Sequence, residues 1–166
     1  MSTDAAKAVV RRNTEEVQGR AAGARIVKPL QFDAHTPQTA GTTRWLAAIS
    51  HGLVGSEGLW AGVLLAEPGT ANSVHHHGPL ETVVYVLSGQ GRVRWGGRLE
   101  HESDLEPGDF LCIPPYLPHQ EINPSPDRPT QWVVVRSGQE AVIVNLTRGP
   151  GGEYIEEGTA DGKPPS

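Results

Sequence analysis

Three consecutive histidines begin at His75, and an acidic residue, Glu81, follows them after a Gly-Pro pair that is typical of a turn. Residues two apart in an extended strand face the same side, so His75 and His77 present their imidazole rings together. Imidazole and carboxylate groups suit divalent iron, manganese, cobalt, nickel, copper and zinc. The pattern therefore predicts a site for one divalent transition metal, and the turn allows Glu81 to return towards the histidines.

A second stretch, GDFLCIPPYLPHQEIN, runs from Gly108 to Asn123 and passes from a short apolar strand into a proline-rich bend. Proline fixes φ and stiffens the chain, which would hold the imidazole of His119 in one place. His119 is therefore the third candidate histidine ligand.

The two stretches together resemble the two motifs of the cupin family. The first matches the pattern G-x5-H-x-H-x3or4-E-x6-G, and the second matches G-x5-P-x-G-x2-H-x3-N, with Tyr116 in place of the internal glycine. The matching positions are Gly69, His75, His77 and Glu81, then Gly108, Pro114, His119 and Asn123. The motifs span about a third of the chain, and their order and separation are typical of the family.

This resemblance implies an all-β fold, a single-domain double-stranded β-helix (jelly-roll) barrel of six or more strands that is often a homodimer. It also implies one divalent metal held by His75, His77, Glu81 and His119. The metal itself could be Fe, Mn, Zn, Ni, Co or Cu, because the same nitrogen and oxygen ligands serve them all.

The first motif departs from the pattern at one point, since seven residues separate Glu81 from Gly89 where six are usual. If a bulge absorbs the extra residue, Glu81 points at the metal. If none does, Thr82 faces inward and the site has three histidines alone. Tyr85 has the same parity as Glu81, so the two are the candidate catalytic residues of the first alternative.

His76 should face away from its two neighbours on a regular strand and form part of the barrel wall. A twist at Gly78 would instead make it a ligand or a partner of one.

Short β-rich runs separated by Gly, Pro and Asp fill the middle of the chain, and they are too close together for crossover helices. An antiparallel sheet that closes or packs on itself is the economical architecture. The clearest runs are Thr43–Ile49, Leu59–Leu65, Thr82–Leu87, Gly91–Trp95, Asp109–Ile113, Gln131–Val135 and Ala141–Leu146.

The ends of the chain differ in composition from this middle part. Residues 1–24 are expected to be a flexible arm, with a short helix over Ala5–Val17 as an option, and residues 25–148 form the barrel. The Gly- and Pro-rich residues 149–166 are expected to be a flexible tail, although Tyr154 and Ile155 could dock on a neighbour.

The formal net charge of −5 gives no electrostatic reason to expect nucleic acid or an anionic membrane as a partner. A single cysteine excludes an intrachain disulfide, and no signal peptide or long apolar run is present, so the expected location is the cytoplasm. The expected partners are a small-molecule substrate and a second copy of the chain.

The leading functional hypothesis is a metal-dependent enzyme acting on a small organic substrate, with an oxygenase or dioxygenase as first choice. One alternative is a non-redox cupin enzyme such as a polyketide cyclase or an isomerase. Another is a cupin that binds a small molecule without catalysis, which loss of turnover in His119→Ala with intact ligand binding would exclude.

Overall fold

The computed structural model describes residues 23–35, 43–139 and 142–156, and the helix considered for Ala5–Val17 lies outside this range. Within these residues the chain forms eleven strands, a four-residue helix α1 (His51–Val54) and a 3-10 turn at Pro29–Gln31. The strands are β1 (Thr43–Ile49), β2 (Trp60–Ala66), β3 (His75–His76), β4 (Thr82–Ser88), β5 (Gly91–Trp95), β6 (His101–Leu105), β7 (Phe110–Ile113), β8 (His119–Ile122), β9 (Thr130–Arg136), β10 (Val144–Arg148) and β11 (Tyr154–Glu156).

Two antiparallel sheets contain these strands. One has five strands in the order β1-β2-β9-β4-β7, and the other has six in the order β11-β10-β3-β8-β5-β6 within the described part of the chain. Consecutive strands often lie in different sheets, as in the double-stranded β-helix that the motifs imply. The predicted all-β jelly-roll fold is confirmed.

The barrel interior is built by strands whose alternate residues are buried, as the period of two requires. In β9, Trp132 and Val134 face inward, and in β4 the inward residues Thr82, Val84 and Val86 alternate with more exposed ones. The main apolar cluster consists of Trp45, Ala47, Trp60, Leu64, Val84, Val86, Val93, Leu105, Ile113, Trp132 and Val134.

Each of the seven predicted runs overlaps a strand of the structure. The last run was predicted to begin at Ala141, whereas the strand β10 begins at Val144. Within residues 149–166, the stretch expected to be a flexible tail, residues 154–156 lie on a strand. These form β11, which pairs with β10 through Arg148 and Tyr154 among others. Among the described residues, no helix has the length and apolar character needed to cross a membrane.

Two motif positions outside the histidines shape the ends of the barrel. Asn123 is fully buried, and its Nδ2 donates to the carbonyls of Ala66, Glu67 and Arg128 at 3.1, 3.1 and 2.8 Å. Tyr116, which replaces the motif glycine, has a φ of 59°. This left-handed conformation explains why a glycine suits the position in the general pattern.

Candidate metal centre

Two short strands of the six-stranded sheet bring the histidines together. His75 on β3 pairs directly with His119 on β8, and their ring centroids lie 4.4 Å apart. His77 follows β3 and faces the same interior, with its ring centroid 4.8 Å from that of His75 and 5.0 Å from that of His119. All three side chains are buried.

Backbone carbonyls fix the orientation of each ring. The Nδ1 atoms of His75, His77 and His119 lie 2.8, 2.9 and 2.8 Å from the carbonyl oxygens of Ser73, Val142 and Leu117, respectively. A carbonyl can only accept, so each Nδ1 carries the proton and donates it. Each Nε2 is then an unprotonated lone pair, as a metal ligand must be.

These three Nε2 atoms are buried and have no hydrogen-bond partner within the described residues. A buried polar atom without a partner is costly, and three of them aimed at one region of the interior indicate a missing ligand. A divalent transition metal would satisfy all three at once.

Glu121 supplies the fourth donor group. It lies two residues after His119 on β8, so both face the interior, and its side chain is 4 % exposed. Its Oε2 is 3.9 Å from Nε2 of His75, and its Oε1 is 3.7 Å from Nε2 of His119. Asn72 holds Glu121 at two points, since its Nδ2 donates to Oε2 of the carboxylate and its Oδ1 accepts from the backbone N–H of Glu121 at 2.9 Å.

The spacing of the four donor atoms fits a metal ion. They all lie within 4.8 Å of one another. Two ligands that are each about 2.1 Å from an ion are about 3.0 Å apart at a right angle and about 4.2 Å apart when opposite. Small side-chain adjustments would therefore place a single ion among His75, His77, His119 and Glu121.

The electrostatics favour the protonation states that a metal requires. Burial lowers the pKa of His75, and burial together with the positive charge of Arg136 lowers the pKa of His77 to about 3. Burial alone would raise the pKa of Glu121, but the attraction of His119 and His75 and the hydrogen bond from Asn72 outweigh it and bring the pKa to about 2. At neutral pH, the site thus offers neutral imidazoles of His75 and His77 and an anionic carboxylate.

The structure does not bring Glu81 to this centre, so its prediction as the fourth ligand is corrected. Thr82 is the inward-facing residue at the start of β4, and the preceding side chain of Glu81 is exposed. The Glu81 backbone is tied to Ser137, whose Oγ accepts from its N–H at 3.0 Å. A register irregularity does occur in β4, between Val86 and Ser88, but it follows the inward residues and leaves Glu81 outside.

Tyr85 shares the outward parity of Glu81, and the proposed catalytic role of both residues loses its geometric basis. The Tyr85 ring packs on Phe110, with ring centroids 4.7 Å apart, on the outer face of the five-stranded sheet. A side chain there cannot reach a substrate bound inside the barrel.

His76 faces away from the centre, as strand alternation predicts. Its Nδ1 accepts from the backbone N–H of Gly78 at 3.0 Å, and its Nε2 lies 3.3 Å from Oε1 of Glu156. The ring also lies near Tyr116, at a centroid distance of 5.7 Å. His76 therefore belongs to the wall between β3 and the last strand.

Sequence reasoning missed Glu121, although a signal was present. The spacing H-x-E at His119 and Glu121 is the same period of two that identified His75 and His77. Because the proline-rich stretch was interpreted as a bend that ends at His119, the strand β8, which begins there, was not predicted. Glu121 also lines a cleft of about 220 Å³, counting the space open to solvent, which Asn72 and Trp132 border as well.

Comparison with known protein families finds a match over just under half of the chain. Residues 62–136 match the Cupin_2 model, described as a cupin domain. No curated relative matches the chain at a significant level.

Solved structures share the fold at low sequence identity. The polyketide cyclase RemF from Streptomyces resistomycificus aligns with a TM-score of 0.63 and 19 % identity, over 78 % of this chain and 90 % of its own. A recombinant oxalate oxidase in complex with glycolate aligns with a TM-score of 0.60 and 19 % identity, over 77 % and 67 %. KdgF from Halomonas sp. aligns with a TM-score of 0.56 and 16 % identity, over 72 % and 97 %. The match to the cupin domain model over residues 62–136 and these structural alignments show that the chain has the double-sheet barrel fold of these proteins.

Proposed function

We propose that this protein is a metal-dependent enzyme that acts on a small organic substrate, with dioxygen-dependent oxidation as the first reaction to test. The observation that carries the proposal is the convergence of three histidine lone pairs and one carboxylate in a buried interior. A metal held there by His75, His77, His119 and Glu121 would supply Lewis acidity or, if redox-active, electron transfer.

The surrounding residues keep the site rigid and dry. The carbonyls of Ser73, Val142 and Leu117 hold the three rings in one tautomer and orientation. Rigid donors that need no rearrangement are what a preorganised catalytic site requires. Burial of the cluster keeps bulk water from competing with the substrate.

Asn72 fixes Glu121 through both its amide nitrogen and its amide oxygen. This fixed position suits a permanent ligand better than a base that must move to take a proton. The arrangement therefore supports Glu121 as a metal ligand rather than as the group that transfers protons.

Metal content and oxygen dependence test the proposal together. The protein should be purified without added metal, and its metals measured by mass spectrometry. Oxygen uptake should then be followed with a panel of small organic acids and phenols. Stoichiometric iron, manganese or copper with substrate-dependent uptake supports the proposal, and turnover that proceeds equally well under strict anaerobiosis contradicts it.

A non-redox cyclase or isomerase is the second candidate, because the polyketide cyclase RemF has the same barrel over most of this chain. This candidate predicts zinc as the native metal and turnover that is independent of oxygen. Stoichiometric iron without zinc would count against it.

We also propose that the protein is a homodimer, as the resemblance to the cupin family implies. Light scattering of the full-length chain should then give twice the protomer mass of 17.8 kDa. A protomer mass at micromolar concentration would contradict the dimer.

A further inference from the structure

A buried cation, Arg136, lacks hydrogen-bond partners among the residues that the structure describes. Arg136, the last residue of β9, is 0 % exposed. Its Nε and both terminal nitrogens are buried, and none of them has a hydrogen-bond partner in the part of the chain that the structure describes. Burial lowers the pKa of Arg136 to about 10, so the guanidinium remains charged at neutral pH.

Arg136 faces the metal centre from the opposite sheet. In β9, Thr130, Trp132 and Val134 are buried at alternate positions, and Arg136 continues this inward row. The positive charge of Arg136 contributes to the lowered pKa of His77. The negative charge of Glu121 favours the charged form of Arg136. Both effects agree with the inward direction of Arg136 that the alternation of β9 gives.

A second unpartnered group stands beside it. Thr82 on β4 and Trp60 on β2 are the residues directly opposite Arg136 on the two neighbouring strands. The Thr82 hydroxyl is buried and lacks a partner within the described residues. Arg136 and Thr82 thus form a row of hydrogen-bond donors on one side of the interior.

Aromatic contacts stabilise the cation but do not satisfy its N–H groups. The guanidinium carbon lies 4.8 Å from the ring centroid of Trp45 and 5.5 Å from that of Trp60. Cation–π contacts use the ring faces and leave the in-plane N–H donors free. A buried charge without hydrogen bonds is strongly unfavourable, so these donors need an acceptor that the described residues do not supply.

The charges of the interior indicate the sign of the missing ligand. Glu121 offsets Arg136 in the metal-free protein, but a divalent ion would add two positive charges to three neutral histidines. The loaded interior would then carry an excess positive charge in a medium of low dielectric. A small anion would reduce this excess and satisfy the donors together.

We propose that Arg136 and Thr82 form a subsite that binds the carboxylate of a small organic acid beside the metal centre. This assignment rests on the proposed function and names the substrate class of the same site. A carboxylate is planar and places two acceptors in the plane of the guanidinium fork, which gives two parallel hydrogen bonds. The Thr82 hydroxyl donates to one of the same oxygens.

Calorimetric titration of the zinc-loaded protein with acetate tests the subsite, with acetamide as the neutral probe of similar shape. We expect acetate to bind more tightly than acetamide, and Arg136→Met to weaken acetate binding about tenfold to a hundredfold, as loss of a charge-assisted bidentate pair should. Zinc itself should bind Arg136→Met at least as tightly as the native chain, because a repelling cation has been removed. Acetate affinity that stays within twofold of native in this variant overturns the proposal, as does an absence of acetate binding to the native chain.

Two further variants cover a failure of Arg136→Met to fold. Thr82→Val keeps the shape and removes one donor, and we expect about a tenfold loss, on the order of one hydrogen bond to a charged acceptor. Arg136→Lys keeps the charge and loses the fork, and should fall between native and Arg136→Met. Native acetate affinity in both variants would overturn the subsite.

A titration with inorganic phosphate and an acetate titration of the metal-free protein complete the test. Inorganic phosphate that binds more tightly than acetate, and does so through Arg136, would overturn the carboxylate class. If the native chain does not bind zinc, the proposed function fails, and the metal-free titration decides the subsite. Acetate binding that depends on Arg136 in that titration supports the subsite, and equal affinities in native and variant overturn it.

Discussion

The two acidic residues near the histidines differ in every property that matters for a ligand. Glu121 is buried, faces the three Nε2 atoms and is held by Asn72. Glu81 is exposed, and its contacts to Ser137 involve its backbone N–H and carbonyl. The same residue type therefore has opposite expected roles, which offers a matched comparison.

Glu121→Gln should weaken zinc binding by more than about a hundredfold, because the change removes the anionic ligand and its charge. Glu81→Gln makes the same chemical change on the outside and should leave the zinc dissociation constant within about twofold. Competition with a chromophoric chelator measures both constants. Equal losses in the two variants, or a larger loss in Glu81→Gln, would show that Glu121 is not the carboxylate ligand.

The buried histidines make the metal-free protein sensitive to acid. Burial lowers the pKa of His75, and that of His77 to about 3, whereas both titrate near about 6.5 in the unfolded chain. As the pH falls below about 6.5, these histidines become protonated in the unfolded chain but stay neutral in the folded chain. The free energy of unfolding therefore decreases. Each such histidine contributes up to about 1.4 kcal/mol per pH unit.

Urea denaturation of the chelator-treated protein at pH 7, 6 and 5 measures this loss. His77→Gln should reduce the slope of unfolding free energy against pH, because it removes one of the two histidines whose pKa is lowered by burial. Stability that stays constant from pH 7 to 5 in the native chain would contradict the argument.

At the scale of elements, the turn between β4 and β5 depends on a glycine. Gly89 has a φ of 80°, and a Cβ there would lie 2.6 Å from the carbonyl oxygen of Pro129 and 2.8 Å from Cα of Thr130. Both contacts are with backbone atoms that cannot rotate away. Gly89→Ala should therefore destabilise the protein by about 2–4 kcal/mol, from left-handed strain and overpacking combined.

Gly97→Ala is the matched control in the next turn, since a Cβ at Gly97 would meet no atom within 4 Å. Its effect should stay within about 0.5 kcal/mol. Chemical denaturation of both variants gives the two free energies of unfolding. A loss below about 1 kcal/mol in Gly89→Ala would mean that the turn rearranges without cost.

How far the sequence determined these elements depends on their composition. β1 and β5 were predicted to their last residue because apolar residues alternate or cluster along them. β6 was not predicted, because its residues are mostly polar and show no apolar alternation. Its pairing with β5 is instead supported by ion pairs across the two strands, such as Asp104 with Arg92 at 2.6 Å. β3 and β11 have two and three residues, which is too short for a period to show.

The site was predicted as far as its motifs reach. The three histidines follow from strand parity and motif spacing, but Glu121 lies on a strand that the proline-rich stretch concealed. Arg136 could not be anticipated, because β9 carries apolar residues on both faces, so its sequence does not show which face is inward. A charged residue at the end of such a strand is expected to lie at the surface.

At the scale of the whole molecule, the two sheets supply different chemistry to one interior. The six-stranded sheet carries His75, His119 and Glu121, whereas the five-stranded sheet carries Thr82 and Arg136. A metal held by the first set together with an organic acid on the second would contact both sheets at once. Binding at this place should therefore stabilise the entire barrel rather than one hairpin.

Metal binding should accordingly raise the unfolding temperature of the full chain. At a free zinc concentration 100 times the dissociation constant, binding to the folded state alone adds about 2.7 kcal/mol. For a chain of 166 residues this corresponds to a rise of about 5–10 °C. Scanning calorimetry before and after zinc addition measures the shift, and excess chelator should reverse it.

The two glutamate variants test whether the rise in unfolding temperature comes from metal bound at the proposed site. Glu81→Gln should keep the full rise and Glu121→Gln should lose most of it, since the shift scales with the logarithm of affinity. A rise that persists in Glu121→Gln would place the stabilising metal elsewhere on the molecule. A native chain that shows no rise, although zinc is bound stoichiometrically, would mean that the metal also binds the unfolded chain, because only preferential binding to the folded state can shift the transition.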